Sequence, residues 1–285
     1  MNHKYIIIIL TLFILIFIGC DEIEKPYLRE SNGGNGGDPP ETGLRKVLIE
    51  EFTGHKCVNC PQAHQIIDEL KEEFDEELVA IAVHAGSFAE PDTDPESLYT
   101  NDYRTATGQE LNSTFQVQGY PTAMINRKEN AFLYYRSSWK AEVRQIMGEQ
   151  ATVGIEIQPE YTEGSSTLGA DIKVMFTETP ENQVNLCVYI TESGVISAQL
   201  NRNEEVGPTP DIVDYEHNHV LRGSLNGTWG DPVTEGAVVS GMVYSHTLGG
   251  FALSDEWVPQ NMAVVAFVYD QATQEVLQVE KTKIK

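Results

Sequence analysis

Cys57-Val58-Asn59-Cys60-Pro61 decides how the rest of this chain is read. It is a C-x-x-C pair set between an apolar run, Val47-Leu48-Ile49, and a stretch with helical spacing. A thiol at a helix start faces unpaired backbone N–H groups and the positive end of the helix dipole. Both favour the thiolate, the nucleophile of disulfide exchange. The second thiol, one helical turn on, can close a disulfide with the first. The same spacing also fits half of a zinc site or a permanent staple. No second C-x-x-C or C…H pair completes a zinc site, so no metal is expected.

Working outward, residues 44–150 alternate between strand-like and helix-like patterns. Val47-Leu48-Ile49 and Leu78-Val79-Ala80-Ile81-Ala82-Val83 read as buried strands. Ala63, Ile66, Ile67, Leu70 and Phe74 recur at helical spacing, and Pro61 suits a first turn that needs no N–H donor. Short helices are expected around 96–104 and 108–115. Thr122–Ile125 and Ala131–Tyr135 read as strands about a Lys128-Glu129-Asn130 turn, and Trp139, Val143, Ile146 and Met147 mark a closing helix. This order implies an α/β layered domain. From residue 151 alternation takes over: Ile155 and Ile157, then Ile172, Val174 and Phe176, then Leu186, Val188 and Ile190. Further strands are expected at 236–247, 261–269 and 275–283. About seven strands separated by turns predict an all-β sandwich over 151–285, Ig-like or related.

The N-terminus reads as an export signal. Lys4 precedes an apolar run, Tyr5 to Ile18, that falls short of the roughly 20 residues of a membrane span. Gly19-Cys20 then suggests a lipoprotein signal over 1–19, with Cys20 lipidated as a membrane anchor. Residues 20–43 include Gly33-Gly34-Asn35-Gly36-Gly37-Asp38-Pro39-Pro40 and read as a tether with an rms span of roughly 25–30 Å. The expected location is the cell envelope, as an outer-membrane lipoprotein facing the periplasm or the surface, where disulfides persist. Without residues 1–19 the chain holds 18 basic and 43 acidic residues, a net charge of −25. Such a balance argues against nucleic acid. Cys187, in a strand pattern, reads as a buried inert thiol.

Val47-Leu48-Ile49-Glu50-Glu51-Phe52 resembles the strand that feeds the thioredoxin active site, and Gly119-Tyr120-Pro121-Thr122 resembles that family's cis-proline loop. The resemblance covers about residues 44–150. It implies that Cys57 attacks, that Cys60 resolves the mixed disulfide, and that Glu51, six residues before Cys57, is the buried acid that serves Cys60. It implies a cis Pro121, with Tyr120 and Thr122 beside an extended substrate. His55 and Lys56 would lower the Cys57 pKa. Read from the residues alone, Glu51 also fits a strand-end acid or a local ion pair. Lys56 stands where thioredoxins usually have Trp, and Val58-Asn59 departs from Gly-Pro.

Tyr215-Glu216-His217-Asn218-His219 places two histidines on one face of any strand that contains them, where they could bind a metal. Together with the signal, the cysteine pair and the β-rich tail, this segment resembles the outer-membrane-protein-twenty-eight lipoproteins of Bacteroidetes. The resemblance implies a thioredoxin-like domain joined to a β-sandwich. The leading expectation is thiol–disulfide exchange with extracytoplasmic thiol or disulfide proteins, with a redox-active disulfide and no other cofactor. One alternative is a non-enzymatic surface protein whose β-sandwich binds a partner. Another is copper handling by Cys57, Cys60 and His55 or His84.

Overall fold

The computed structural model describes residues 38–285. The signal segment, Cys20 and most of the tether lie outside them. Among the described residues, no helix is long and apolar enough to cross a membrane. The last tether residues are packed: Pro40 is buried, and its carbonyl lies where a side chain on Gly154 would have to go.

Strand β1 (Val47–Thr53) is buried along its whole length, as an apolar run flanked by strands on both sides should be. It pairs in parallel with β2 (Leu78–His84) and antiparallel with β3 (Thr122–Ile125), which pairs with the short β4 (Tyr134–Tyr135). Helix α1 (Cys60–Phe74) carries Pro61 in its first turn and buries Ala63, Ile67 and Leu70. That stripe packs with α3 (Trp139–Ile146) on the Val47 and Ile49 face of the sheet. Helix α2 (Ala106–Thr114) is capped by Thr105, whose Oγ1 accepts from Gly108 N at 2.9 Å. Its Leu111 packs on the opposite face. The expected helix around 96–104 is absent. The chain instead loops, with Asp92 N bonded to Tyr99 O at 2.8 Å, and turns Tyr99 and Tyr103 toward His55.

Residues 151–285 supply β5 (Val153–Thr162), β6 (Thr167–Phe176), β7 (Val184–Glu192), β8 (Val195–Leu200), β9 (Asp211–His217), β10 (Val220–Ser224), β11 (Asp231–Pro232), β12 (Val243–Ala252), β13 (Met262–Asp270) and β14 (Val276–Lys283). Their sheets do not stop at residue 150. One nine-stranded sheet runs β14-β13-β7-β10-β2-β1-β3-β4, with β11 also on β7. The join is narrow: Val220 of β10 pairs with Ala82 of β2, and Ala82 N donates to His219 O at 2.8 Å. At its far end β14 returns to the start of β1, where Val276 N donates to Asn126 O and Lys46 N donates to Gln278 Oε1. One apolar cluster therefore draws on both halves, with Leu48, Phe52 and Ile81 beside Tyr189, Val265 and Phe267. The three-stranded sheet β12-β6-β5 packs on the other face of β7 and β13. The architecture is mixed α/β with a large sheet shared by both halves.

Strand β12 begins at Val243 rather than near 236, and the β8–β9 hairpin was not legible as two strands. It forms a separate two-stranded sheet.

Candidate functional site

β1 ends at Thr53, and the chain turns through Gly54-His55-Lys56 to the cysteines. Gly54 is required there, because a Cβ would meet the Phe88 backbone at 2.5 Å. Cys57 N donates to Gly54 O and Cys60 N to Cys57 O, closing two tight turns. Helix α1 starts at Cys60, so Cys57 sits in the turn ahead of it. The two cysteines form a disulfide, with Cα atoms 5.4 Å apart. Cys57 is 2% exposed and Cys60 fully buried.

Thr122 pairs with Phe52, so Pro121 stands at the C-terminal end of β1, the end from which the cysteine loop leaves. The Tyr120–Pro121 bond is cis. Tyr120 donates its hydroxyl to Asn112 Oδ1, and Thr122 Oγ1 donates to Tyr134 O at 3.0 Å. The side-chain hydroxyls of both residues expected to line a substrate are thus occupied within the fold.

Period-two geometry sends Glu50 and Glu51 to opposite faces of β1. Glu51 lies on the α1 side, 1% exposed, with Oε1 3.3 Å from His64 Nε2. Thr53 Oγ1 is 3.0 Å from the same nitrogen, and the Tyr215 hydroxyl is 2.6 Å from His64 Nδ1. Burial pulls the His64 pKa down, but the Glu51 carboxylate outweighs it and the net direction is up. Burial raises Asp68 against the pull of His64 and Lys71. Glu51, His64, Asp68, Tyr215 and His219 line a cavity of about 30 Å³. Glu51 is therefore not an exposed strand-end acid; buried against His64, it fits the local ion pair as well as the buried acid of the resemblance.

Of the two residues expected to lower the Cys57 pKa, His55 has its own pKa lowered by burial, and Lys56 is tied to Asp92 at 2.8 Å. His55, His84 and His217 are each at most 2% exposed. Their rings surround that of Tyr103, with centroids at 5.9, 5.2 and 5.4 Å. None of the six ring nitrogens makes a well-aligned hydrogen bond among the described residues, although the backbone at Glu90, Ala82 and Ala198 lies near enough to His55, His84 and His217 to raise their pKa values against burial. Burial holds His84 well below its ordinary value, and it holds His217 down at about 3. His217 and His219 do not share a face. His217 ends β9, whereas His219 adopts φ 58° before β10 and faces Lys71 at 3.2 Å. Among the described residues, no group of three or more His, Cys, Asp or Glu side chains has the spacing to hold a metal ion. The two sulfurs of the copper reading are bonded to each other in this structure.

Gln199, which no sequence signal marked, reaches the cysteine loop. Its Nε2 donates to Cys57 O at 3.0 Å and to Gly54 O at 3.4 Å. Cys187 is buried and unpaired, with Sγ 3.6 Å from Thr228 O, and burial pushes its thiol up to about 12.

Similarity to known proteins extends over most of the chain. HBP35 of Porphyromonas gingivalis shares 16% identity and a TM-score of 0.62, over 85% of this chain and 76% of that one. This likeness concerns the fold. A domain of the outer membrane lipoprotein Omp28 from Porphyromonas gingivalis aligns at 25% identity and a TM-score of 0.33, over 47% of this chain and 89% of that one. A protein from Agrobacterium tumefaciens aligns at 12% identity and a TM-score of 0.48, over 86% and 97%. No curated protein matches the sequence. The profile of the family described as outer membrane protein Omp28 matches residues 108–285, a span that includes Pro121 and begins after the cysteine pair. The chain belongs to the outer membrane protein Omp28 family and is a protein of the outer membrane.

Proposed function

We propose that this chain is an envelope lipoprotein, anchored through Cys20, whose Cys57–Cys60 pair exchanges disulfides with extracytoplasmic proteins on a thioredoxin-like scaffold. The observation that carries the reading is the disulfide at the head of α1, with the buried Glu51–His64 couple on the same side of β1. In the exchange, a partner thiolate attacks Cys57 Sγ. The Cys57–Cys60 bond breaks, a mixed disulfide forms on Cys57, and Cys60 leaves as a thiolate. Glu51 and His64 supply the proton that Cys60 takes up. A second partner thiolate attacks the partner's own sulfur in the mixed disulfide and expels Cys57 as a thiolate, which then takes up a proton. The partner is oxidised to a disulfide by two electrons, and the pair is reduced to two thiols. Run backwards, the same steps oxidise the pair and reduce a partner disulfide.

The test is insulin reduction and dithiol oxidation by the protein beside its Cys57→Ala variant. Turnover that vanishes in the variant supports the proposal; equal background rates in both end it. A second reading, in which the pair is a structural staple on a non-enzymatic surface protein, is favoured by the near-complete burial of both cysteines. An equilibrium potential below about −300 mV selects the staple, and one of about −120 to −270 mV selects the exchanger.

A further inference from the structure

The β8–β9 hairpin pairs with no other strand. A lone two-stranded hairpin is marginally stable, so contacts with its surroundings must hold it in place. The main-chain contacts fall on the cysteine loop. Leu200 N donates to His55 O at 2.8 Å and Arg202 N donates to Val58 O at 3.2 Å. Donors two residues apart are how an extended chain presents one edge. Gln199 Nε2, fixed between them and the hairpin, takes Gly54 O and Cys57 O. The carbonyls on both sides of Cys57 are thus satisfied by a segment more than 140 residues away, as the 142-residue separation of Gln199 from Cys57 records. Main-chain bonds of this kind do not depend on the donor's side chains, and a second extended polypeptide can make them equally well.

The layer under the hairpin is poorly satisfied. His217 of β9 packs edge-on against His84 and at a tilt against Tyr103, with His55 of the cysteine loop on the far side of Tyr103. The six ring nitrogens and Gln199 Oε1 are buried without well-aligned partners among the described residues. Polar atoms without well-aligned protein partners add little to holding such a layer together. Three side-chain ties remain, Tyr103 Oη to Ser197 Oγ at 2.7 Å, His64 Nδ1 to Tyr215 Oη at 2.6 Å, and the Tyr99 hydroxyl to the Asp211 carboxylate.

We propose that the β8–β9 hairpin is a displaceable internal lid on the Cys57–Cys60 disulfide, and that the partner is an extended polypeptide that takes the place of Gln199–Arg202 on the loop. The proposal rests on reading Cys57–Cys60 as a working pair. It explains how a disulfide with almost no exposure meets a protein substrate: the substrate strand and the lid compete for the same carbonyls.

The test uses the full chain. The rate at which dithiothreitol reduces Cys57–Cys60 is measured in the wild type, in Gln199→Ala and in Leu200→Pro, which lacks the N–H given to His55 O. Both variants are expected to be reduced about tenfold faster, because local opening controls access. A cysteine-containing peptide is then trapped on Cys57 in a Cys60→Ser chain, and amide exchange at Leu200 and Arg202 is expected to speed up. Unchanged reduction in Gln199→Ala, or amides that stay protected in the trapped complex, overturns the lid. Insulin turnover run in parallel separates the two ideas. Faster chemical reduction without turnover in any chain keeps the lid and removes the oxidoreductase; turnover with unaltered reduction rates removes the lid.

Discussion

On one side of β1, Glu50 meets Arg127 with two hydrogen bonds of 2.6 and 2.7 Å; on the other, Glu51 meets His64 at 3.3 Å. The first pair is sealed, at 1% and 0% exposure, and the guanidinium also lies over Phe115, Phe267 and Tyr269. A fork-on-fork pair in that setting holds two halves of the fold in register, since Arg127 follows β3 while Phe267 and Tyr269 belong to β13. The second pair borders a cavity and contains a histidine whose pKa the Glu51 carboxylate raises against the pull of burial. Identical side chains one residue apart thus sit in different settings, one in a sealed tie and one in the couple proposed above to serve Cys60. Pleat geometry decides which is which.

The sharpest way to break this contrast is Arg127→Met. It leaves Glu50 buried without compensation and is expected to cost about 3–5 kcal/mol in denaturant unfolding, whereas Glu51→Gln costs much less. Replacing Glu50 and Arg127 together by apolar residues of similar volume is expected to recover most of that loss.

Next in size is pH dependence, where His64 and His217 pull in opposite directions. The raised pKa of His64 means the folded state holds its proton more tightly. The stability it contributes is complete below about 6.5 and is lost as pH rises through the folded pKa. His217 stays neutral when folded down to about 3. Its share is complete above about 6.5 and is lost as pH falls toward that value, because the unfolded chain binds the proton first. Urea midpoints across this range are expected to lose their alkaline-side slope in Glu51→Gln and much of their acid-side slope in His217→Phe. The smallest effect is at the surface. Lys140→Ala removes an ion pair with Glu69 whose side chains are 40% and 58% exposed, and it is expected to change stability by about 0.5 kcal/mol or less.

Much of the cysteine side of this picture was legible because it is local. Glu51, Cys57, Cys60 and Pro121 sit on short segments whose apolar runs and breakers announce strand, turn and helix. The strands from Ile155 to Ile190 showed through their alternation for the same reason. What was hidden depends on distant pairing. Nothing near Val220 says that it will meet Ala82, so the fusion of the halves into one sheet could not be read. The Tyr103 cage assembles His55, His84 and His217 from three remote segments. Arg127, just ahead of the expected Lys128-Glu129-Asn130 turn, carried no signal of its own. In fact, residues 126, 127 and 129–131 all have positive φ, and that bend sends the guanidinium inward to Glu50.

Cys187 bears on how the chain is made. In an oxidising compartment a third sulfhydryl invites scrambled pairings during maturation. Once β7 is laid between β13 and β10, this one is walled in by the core, and its reluctance to ionise removes the remaining reactivity. Order of assembly then protects fidelity: the earlier that strand docks, the fewer molecules need an isomerase to repair them.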